Sequence, residues 1–204
     1  PESICNLIEN DCYINFYDNA LCPLYPECVE HFIGYQNTEE CIAVCEDGLK
    51  EIDGHCYDES DLDVLQDIID SNLSLGSLVD PLSLGFQYWH EARLTSLIVY
   101  DRQIDHLPES IGDLDSLEEL YLNNNKLIDL PARIGDLDNL IELNLSDNEL
   151  VNLPESIGNL SSLEIFNITG NQLTNLPENI SNLSKLKELN VVYNHLAYLP
   201  DDIC

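Results

Sequence analysis

The chain has 204 residues, 44% of them apolar, which is enough to bury a real core in one elongated domain or two small ones. Only 7 Lys and Arg stand against 39 Asp and Glu, giving a formal charge of −32. Such a surface repels phosphate backbones and anionic lipid, which excludes nucleic-acid binding, and no run approaches the ~18 apolar residues of a membrane span.

The acid is spread along the chain, with 20 acidic and 2 basic residues in 1–93 and 19 and 5 in 94–204, so it is not an acidic tail. It reads as a solvated face, or as carboxylates some of which hold Ca²⁺, a hard ion suited to oxygen ligands. Seven of the eight cysteines lie between Cys5 and Cys56 and the eighth is Cys204. An even count crowded into a small, loop-rich segment points to disulfides and an oxidising, extracellular compartment. A zinc site would want two close pairs, and only Cys41 and Cys45 come near that spacing.

In chain order, "PESICNL" at Pro1–Leu7 matches "PESIGNL" at Pro154–Leu160, with Cys5 in the place of Gly158. Cys45–Tyr57, "CEDGLKEIDGHCY", has glycines at turns inside a Cys-bounded hairpin. "DESDLDVLQDIIDSN" predicts a helix with Asp58 or Ser60 as N-cap, acids in its first turn, and Leu62, Leu65, Ile68 and Ile69 on one stripe. "DPLSLGFQYWHEARL" follows as a linker, with Phe86 and Trp89 as apolar plugs.

From Leu94 a fixed period takes over. Segments beginning at Leu94, Leu117, Leu140, Leu163 and Leu186 are spaced 23 residues apart, and the last breaks off. The alternating leucines of each copy, such as Leu120 and Leu122, point inward from a short strand, and successive strands pair in parallel because one copy cannot bury its apolar face alone. Asn125, Asn148, Asn171 and Asn194 recur at the turn out of the strand, where their amides can satisfy backbone groups in a ladder; Arg102 replaces the Asn in the first copy.

These segments, with LxxLxLxxNxL followed by LPxxIGxL, resemble the leucine-rich repeat family in its 23-residue form over residues 94–204. The resemblance implies an α/β solenoid: a stack of parallel strands with a disulfide-rich cap and connector. Read with the same template, "INFYDNAL" at Ile14–Leu21 is a repeat strand, and the Cys-rich stretch after it is a cap. The expected organisation is a terminal repeat and cap over 1–41, a Cys-rich hairpin connector over 42–59, a capping helix and linker over 60–93, and five repeats over 94–204, the last open-ended. The connector resembles the tail of an epidermal-growth-factor-like module, which implies a Cys45–Cys56 disulfide. Within the cap region, Cys28 is expected to pair with Cys41, and Cys5 with Cys12 or Cys22. The module order resembles that of secreted multi-module repeat proteins of free-living bacteria.

No constellation supplies a nucleophile, a base and an orienting group, so no enzyme activity is expected. The concave sheet is the usual binding surface of the resembled family. Its outward columns include Glu119, Tyr121, Glu142, Asn144, Asn167, Glu188 and Asn190, which could face a basic protein, a glycan or Ca²⁺, or could be soluble strand residues with an Asn144–Asn167–Asn190 ladder. Six N-x-S/T sequons, at Asn72, Asn144, Asn159, Asn167, Asn179 and Asn182, are glycan acceptors or by-products of the repeat. The matching ends, "PESIC" and "PDDIC", set a long period of 199 residues. They suggest a segment of a longer array in which Leu186, Leu189, Leu196, Leu199 and Ile203 of one unit stack on Leu7, Ile14 and Phe16 of the next. The expected function is an extracellular structural unit of a head-to-tail fibre or surface stalk; the alternative is a secreted module that binds a protein or glycan on its concave face. No cofactor is expected beyond that Ca²⁺ reading.

Overall fold

The computed structural model describes residues 45–76 and 80–200, and the chain divides into two compact units, 1–56 and 57–204. In the first, strands β1 (Leu49–Ile52) and β2 (His55–Asp58) form a hairpin. Its turn is Asp53-Gly54, both in the left-handed region at φ 51° and 80°, the pattern an Asp-Gly pair favours between two strands. Cys45 and Cys56 are disulfide-bonded with their Cα atoms 5.6 Å apart. Cys5, Cys12, Cys22, Cys28, Cys41 and Cys204 lie outside the described residues.

The second unit opens with helix α1 (Glu59–Ser71). Asp58 caps it by accepting from the Ser60 and Asp61 amides at 2.9 and 3.3 Å. The predicted stripe is buried, joined by Val64, and Val64, Leu65, Ile68 and Ile69 pack into one core with Leu94, Leu97, Leu107 and Ile111. Short 3₁₀ turns at Leu73–Leu75 and Pro81–Ser83 then deliver Leu75 and Leu84 into that core.

The linker expected next contains a strand, β3 (Phe86–His90), paired antiparallel with β4 (Arg93–Ile98) through a turn at Glu91 and Ala92, both at positive φ. Its signal was weak because Gly85 and an aromatic run break the period before the repeats begin. The plug expectation divides accordingly: Trp89 packs against the core, but Phe86 is 61% exposed and Leu84 fills the inner position instead. Alternation within the strand decides this, since Phe86 and Trp89 are three residues apart and fall on opposite faces.

Strands β5 (Glu119–Tyr121), β6 (Glu142–Asn144), β7 (Ile165–Asn167) and β8 (Glu188–Asn190) extend the sheet in parallel, each residue paired with its counterpart 23 positions on. Leu97, Leu120, Leu143 and Phe166 form one inward column and Leu122, Leu145 and Ile168 another, all fully buried. The return path of each repeat is a 3₁₀ turn, at Glu109–Asp113, Ala132–Asp136, Glu155–Asn159 and Glu178–Asn182.

Two devices hold the coils at one spacing. The Asn148 amide donates to Leu122 and Leu145 carbonyls at 2.9 and 3.0 Å, and its oxygen accepts from the Leu127 amide, so one side chain joins two repeats. Asn125, Asn171 and Asn194 do the same in their own copies. On the outer side, a Cβ at Gly112 would lie 2.6 Å from the Arg133 carbonyl, and Gly135 and Gly158 face the Ser156 and Asn179 carbonyls more closely still. Glycine stands there because the next coil's backbone occupies the space.

Candidate interaction surface

Because side chains alternate along a strand, the residues between the buried columns face outward together. Ser96, Glu119, Glu142, Ile165 and Glu188 align across β4–β8, and Ile98, Tyr121, Asn144, Asn167 and Asn190 form the next column. This places all seven predicted concave residues on one open face.

The face is acidic and locally braced. Ser96 Oγ donates to Glu119 at 2.9 Å, and the Tyr121 hydroxyl bonds Glu142. Burial, this bond and the two carboxylates push the Tyr121 hydroxyl well above its ordinary pKa, so it stays a neutral donor. Glu119 and Glu142 are direct cross-strand partners, a like-charge pair that costs free energy unless a cation lies near. Among the described residues the ion pairs are elsewhere: Arg93 with Asp58 and Asp61, Arg133 with Asp113 and Asp136, Lys187 with Glu164.

The expected Asn144–Asn167–Asn190 ladder does not form. Asn144 accepts from Ser146, Asn167 from the Thr169 amide, and Asn190 donates to Glu188, each within its own repeat. The strands are three residues long and turn at once, so each amide finds a nearer partner in its own turn.

Of the sequons, Asn159, Asn179 and Asn182 are exposed and Asn144 and Asn167 half-buried. Asn72 is corrected: it is 1% exposed, donates to the Ile68 and His106 carbonyls, and accepts from the Asp105 and His106 amides. It ends α1 and satisfies the first repeat's turn, where Arg102 stands in place of the ladder Asn, so the folded chain has no free amide there for a glycan.

Leu186, Leu189 and Leu196 are half-buried against the core and Leu199 is 51% exposed, beside an open hollow of about 620 Å³ that also involves Tyr198 and Pro177. Leu7, Ile14, Phe16 and Ile203 lie outside the described residues. Among the described residues, no three His, Cys, Asp or Glu side chains converge as metal ligands, and no helix is long and apolar enough to cross a membrane.

Sequence reading missed a cluster of aromatic residues at the β3 end of this face. Phe86 pairs with Ile98 and Tyr88 with Ser96, which puts both rings on the outward side, and Phe86 stacks on Tyr100 with centroids 6.3 Å apart. Recognising β3 as an alternating strand would have found them.

A family model described as leucine rich repeat matches residues 115–173 and 138–196. Among solved structures, the LRR ectodomain of the receptor kinase SOBIR1 from Arabidopsis thaliana is 27% identical over 71% of this chain and 92% of that one, with a TM-score of 0.58. A chain of the Arabidopsis thaliana BIR3–SERK2 complex is 28% identical over 68% of this chain and 85% of that one, also at 0.58. The Leptospira interrogans LRR protein LIC12759 is 27% identical over 54% of this chain at a TM-score of 0.34, and the chain spans 46% of its length. No curated protein matches the chain at a significant level.

Proposed function

From the premise that the chain belongs, through its repeats, to the leucine-rich repeat family, we propose that it is an extracellular interaction module that holds a protein partner on its concave sheet. One observation carries this reading. Outward side chains of successive repeats stand in register over β4–β8, while the cations of the described residues are paired elsewhere or lie off the columns. The face is therefore an ordered array of donors and carboxylates directed at solvent, and a partner meets several repeats at once. The Cys45–Cys56 disulfide and the likeness to a receptor ectodomain support an extracellular setting.

The test is to replace Asn144 and Asn167 together by bulky lysines and measure retention of partners bound by the wild-type chain at a cell surface. Binding lost with melting unchanged supports the reading. Unchanged binding with the fold intact rejects it, and loss of binding on removal of glycans from the partner reassigns the ligand as a glycan.

A second reading, a head-to-tail fibre or stalk built from copies of the chain or adjacent modules, is favoured by a different observation. Leu186, Leu189 and Leu196 are only half-covered, whereas Leu117, Leu120 and Leu127 at the same repeat positions are fully buried. Sedimentation over a concentration series checks it: Leu189→Glu and Leu199→Glu should abolish association, and a wild-type chain that stays monomeric at high concentration removes the reading.

A further inference from the structure

We propose that the β3–β5 end of the concave face is the anchoring site for a segment of a partner protein that presents Arg or Lys beside an apolar side chain. This rests on the concave-face reading and adds where the contact is made and to what chemistry.

Three independent features meet there. The first is exposed aromatic surface in one place. Phe86 and Tyr88 are each 61% exposed, Tyr100 is 43% exposed, and the Phe86 and Tyr100 rings lie 26° from parallel. Beside them is a hollow of about 290 Å³ floored by Gly85 and Ile98. A Cβ at Gly85 would collide with the Ile98 backbone, so the close approach of these strands keeps the hollow's floor in place. Large rings held at a sheet surface are the residues that dominate protein–protein affinity, and they sacrifice little side-chain entropy when covered.

The second feature is charge. Glu119 and Glu142 lie one and two strands beyond β4 in adjacent positions and meet only neutral donors, Ser96 and Tyr121. Asp101 borders the hollow directly; Arg102, also at its border, is the single cation lining it. A cation from outside would relieve the Glu119–Glu142 repulsion and could lie over the electron-rich ring faces, an attraction of Tyr and Phe for Arg and Lys. An acidic partner meets repulsion at the same place, which selects by sign.

The third feature is rigidity. β3 is fastened from behind, since Trp89 packs on the core, its ring lies 4.9 Å from Tyr57, and the Gln87 amide donates to the Pro81 and Leu84 carbonyls. The rings therefore sit on a fixed strand rather than a loop, and little ordering free energy is lost on binding. At the other end of the sheet the corresponding column holds Thr169 and Val192, with no aromatic platform, so the two ends of one face differ in what they can hold.

The experiment titrates the full chain with short synthetic peptides of alternating Arg and Leu, with Glu–Leu and Arg–Ser peptides of equal length as comparators. The Arg–Leu peptide should bind best, and Phe86→Ser and Tyr100→Ser should each weaken it on the order of tenfold. Both positions are exposed, so melting should be unchanged. Glu119→Gln and Glu142→Gln should flatten the dependence of binding on salt, whereas Val192→Ser at the far end should change nothing. Equal binding of the Glu–Leu peptide overturns the proposal, as does wild-type affinity in both aromatic variants; uniform weakening by any removed carboxylate would mean attraction to net charge alone and also overturns it. If the aromatic variants bind normally while the Asn144/Asn167 replacement still abolishes partner retention, this anchoring site fails and the concave-face reading stands. If neither set affects any binding, both fail.

Discussion

Single residues set the spacing of the coils. Asn148 closes backbone groups of two repeats from a buried position, so Asn148→Ala should lower stability by about 2–4 kcal/mol, read by denaturant unfolding, because several buried carbonyl and amide groups lose their partner. Tyr193 is the opposite case. The residue before the ladder Asn sits in the left-handed region in each copy, and Asp101, Asn124, Asp147 and Gly170 tolerate it. Tyr193 holds φ 56° while 81% exposed, so Tyr193→Gly should raise stability by about 1 kcal/mol in a thermal melt. A melt that falls instead would mean that the ring makes a stabilising contact.

At the scale of the element, α1 is a lid fastened to β4 by charge. Asp61 is fully buried and accepts from Arg93 Nε and Nη2 at 2.9 Å each and from the Leu94 amide at 2.8 Å. Arg93→Ala strands that carboxylate, and a loss of about 3–5 kcal/mol is expected in urea unfolding, with Asp61→Ala costing less because the released guanidinium can reach water. The cap at Asp58 adds a pH dependence. Burial opposes its ionisation, but the Ser60 and Asp61 hydrogen bonds and Arg93 outweigh it and hold the carboxyl below its ordinary value of 3.8. A lowered folded pKa means stability that is fully present above 3.8 and lost as pH falls through the folded value. Asp58→Asn keeps a capping oxygen and should flatten that acid limb of the unfolding profile; an unchanged limb would place the titration elsewhere.

Across the whole molecule, every repeat buries its leucines on the coils beside it, so stability is close to a sum of repeats and their interfaces. Gly135→Ala forces the Ser156 backbone away and should open the stack between two coils. The expected result is a broadened, multi-step melt rather than a uniform shift, and a single sharp transition at the wild-type temperature would show that the coils can separate without cost. Histidines at variable repeat positions, His106 and His195, lie outside the columns, and replacing either with Gln should leave partner binding intact in the same retention assay.

The sequence by itself determined the repeat segment. A strict 23-residue period carries its own register, because the same residue types meet at each coil, and inward leucines, ladder asparagines and the convex turns follow from local spacing alone. The helix α1 was legible for the same reason, its cap and stripe being local. Only the tertiary structure decided what happens between helix and repeats. Arg93 and Asp61 are 32 positions apart, and Asn72 reaches His106 over 34, so neither partnership leaves a local signal. The concave columns could be counted from the period, but the aromatic end of that face could not. Phe86 and Tyr88 precede the first repeat and join the sheet only because β3 pairs backwards onto β4, a long-range hydrogen-bonded pairing that no period announces.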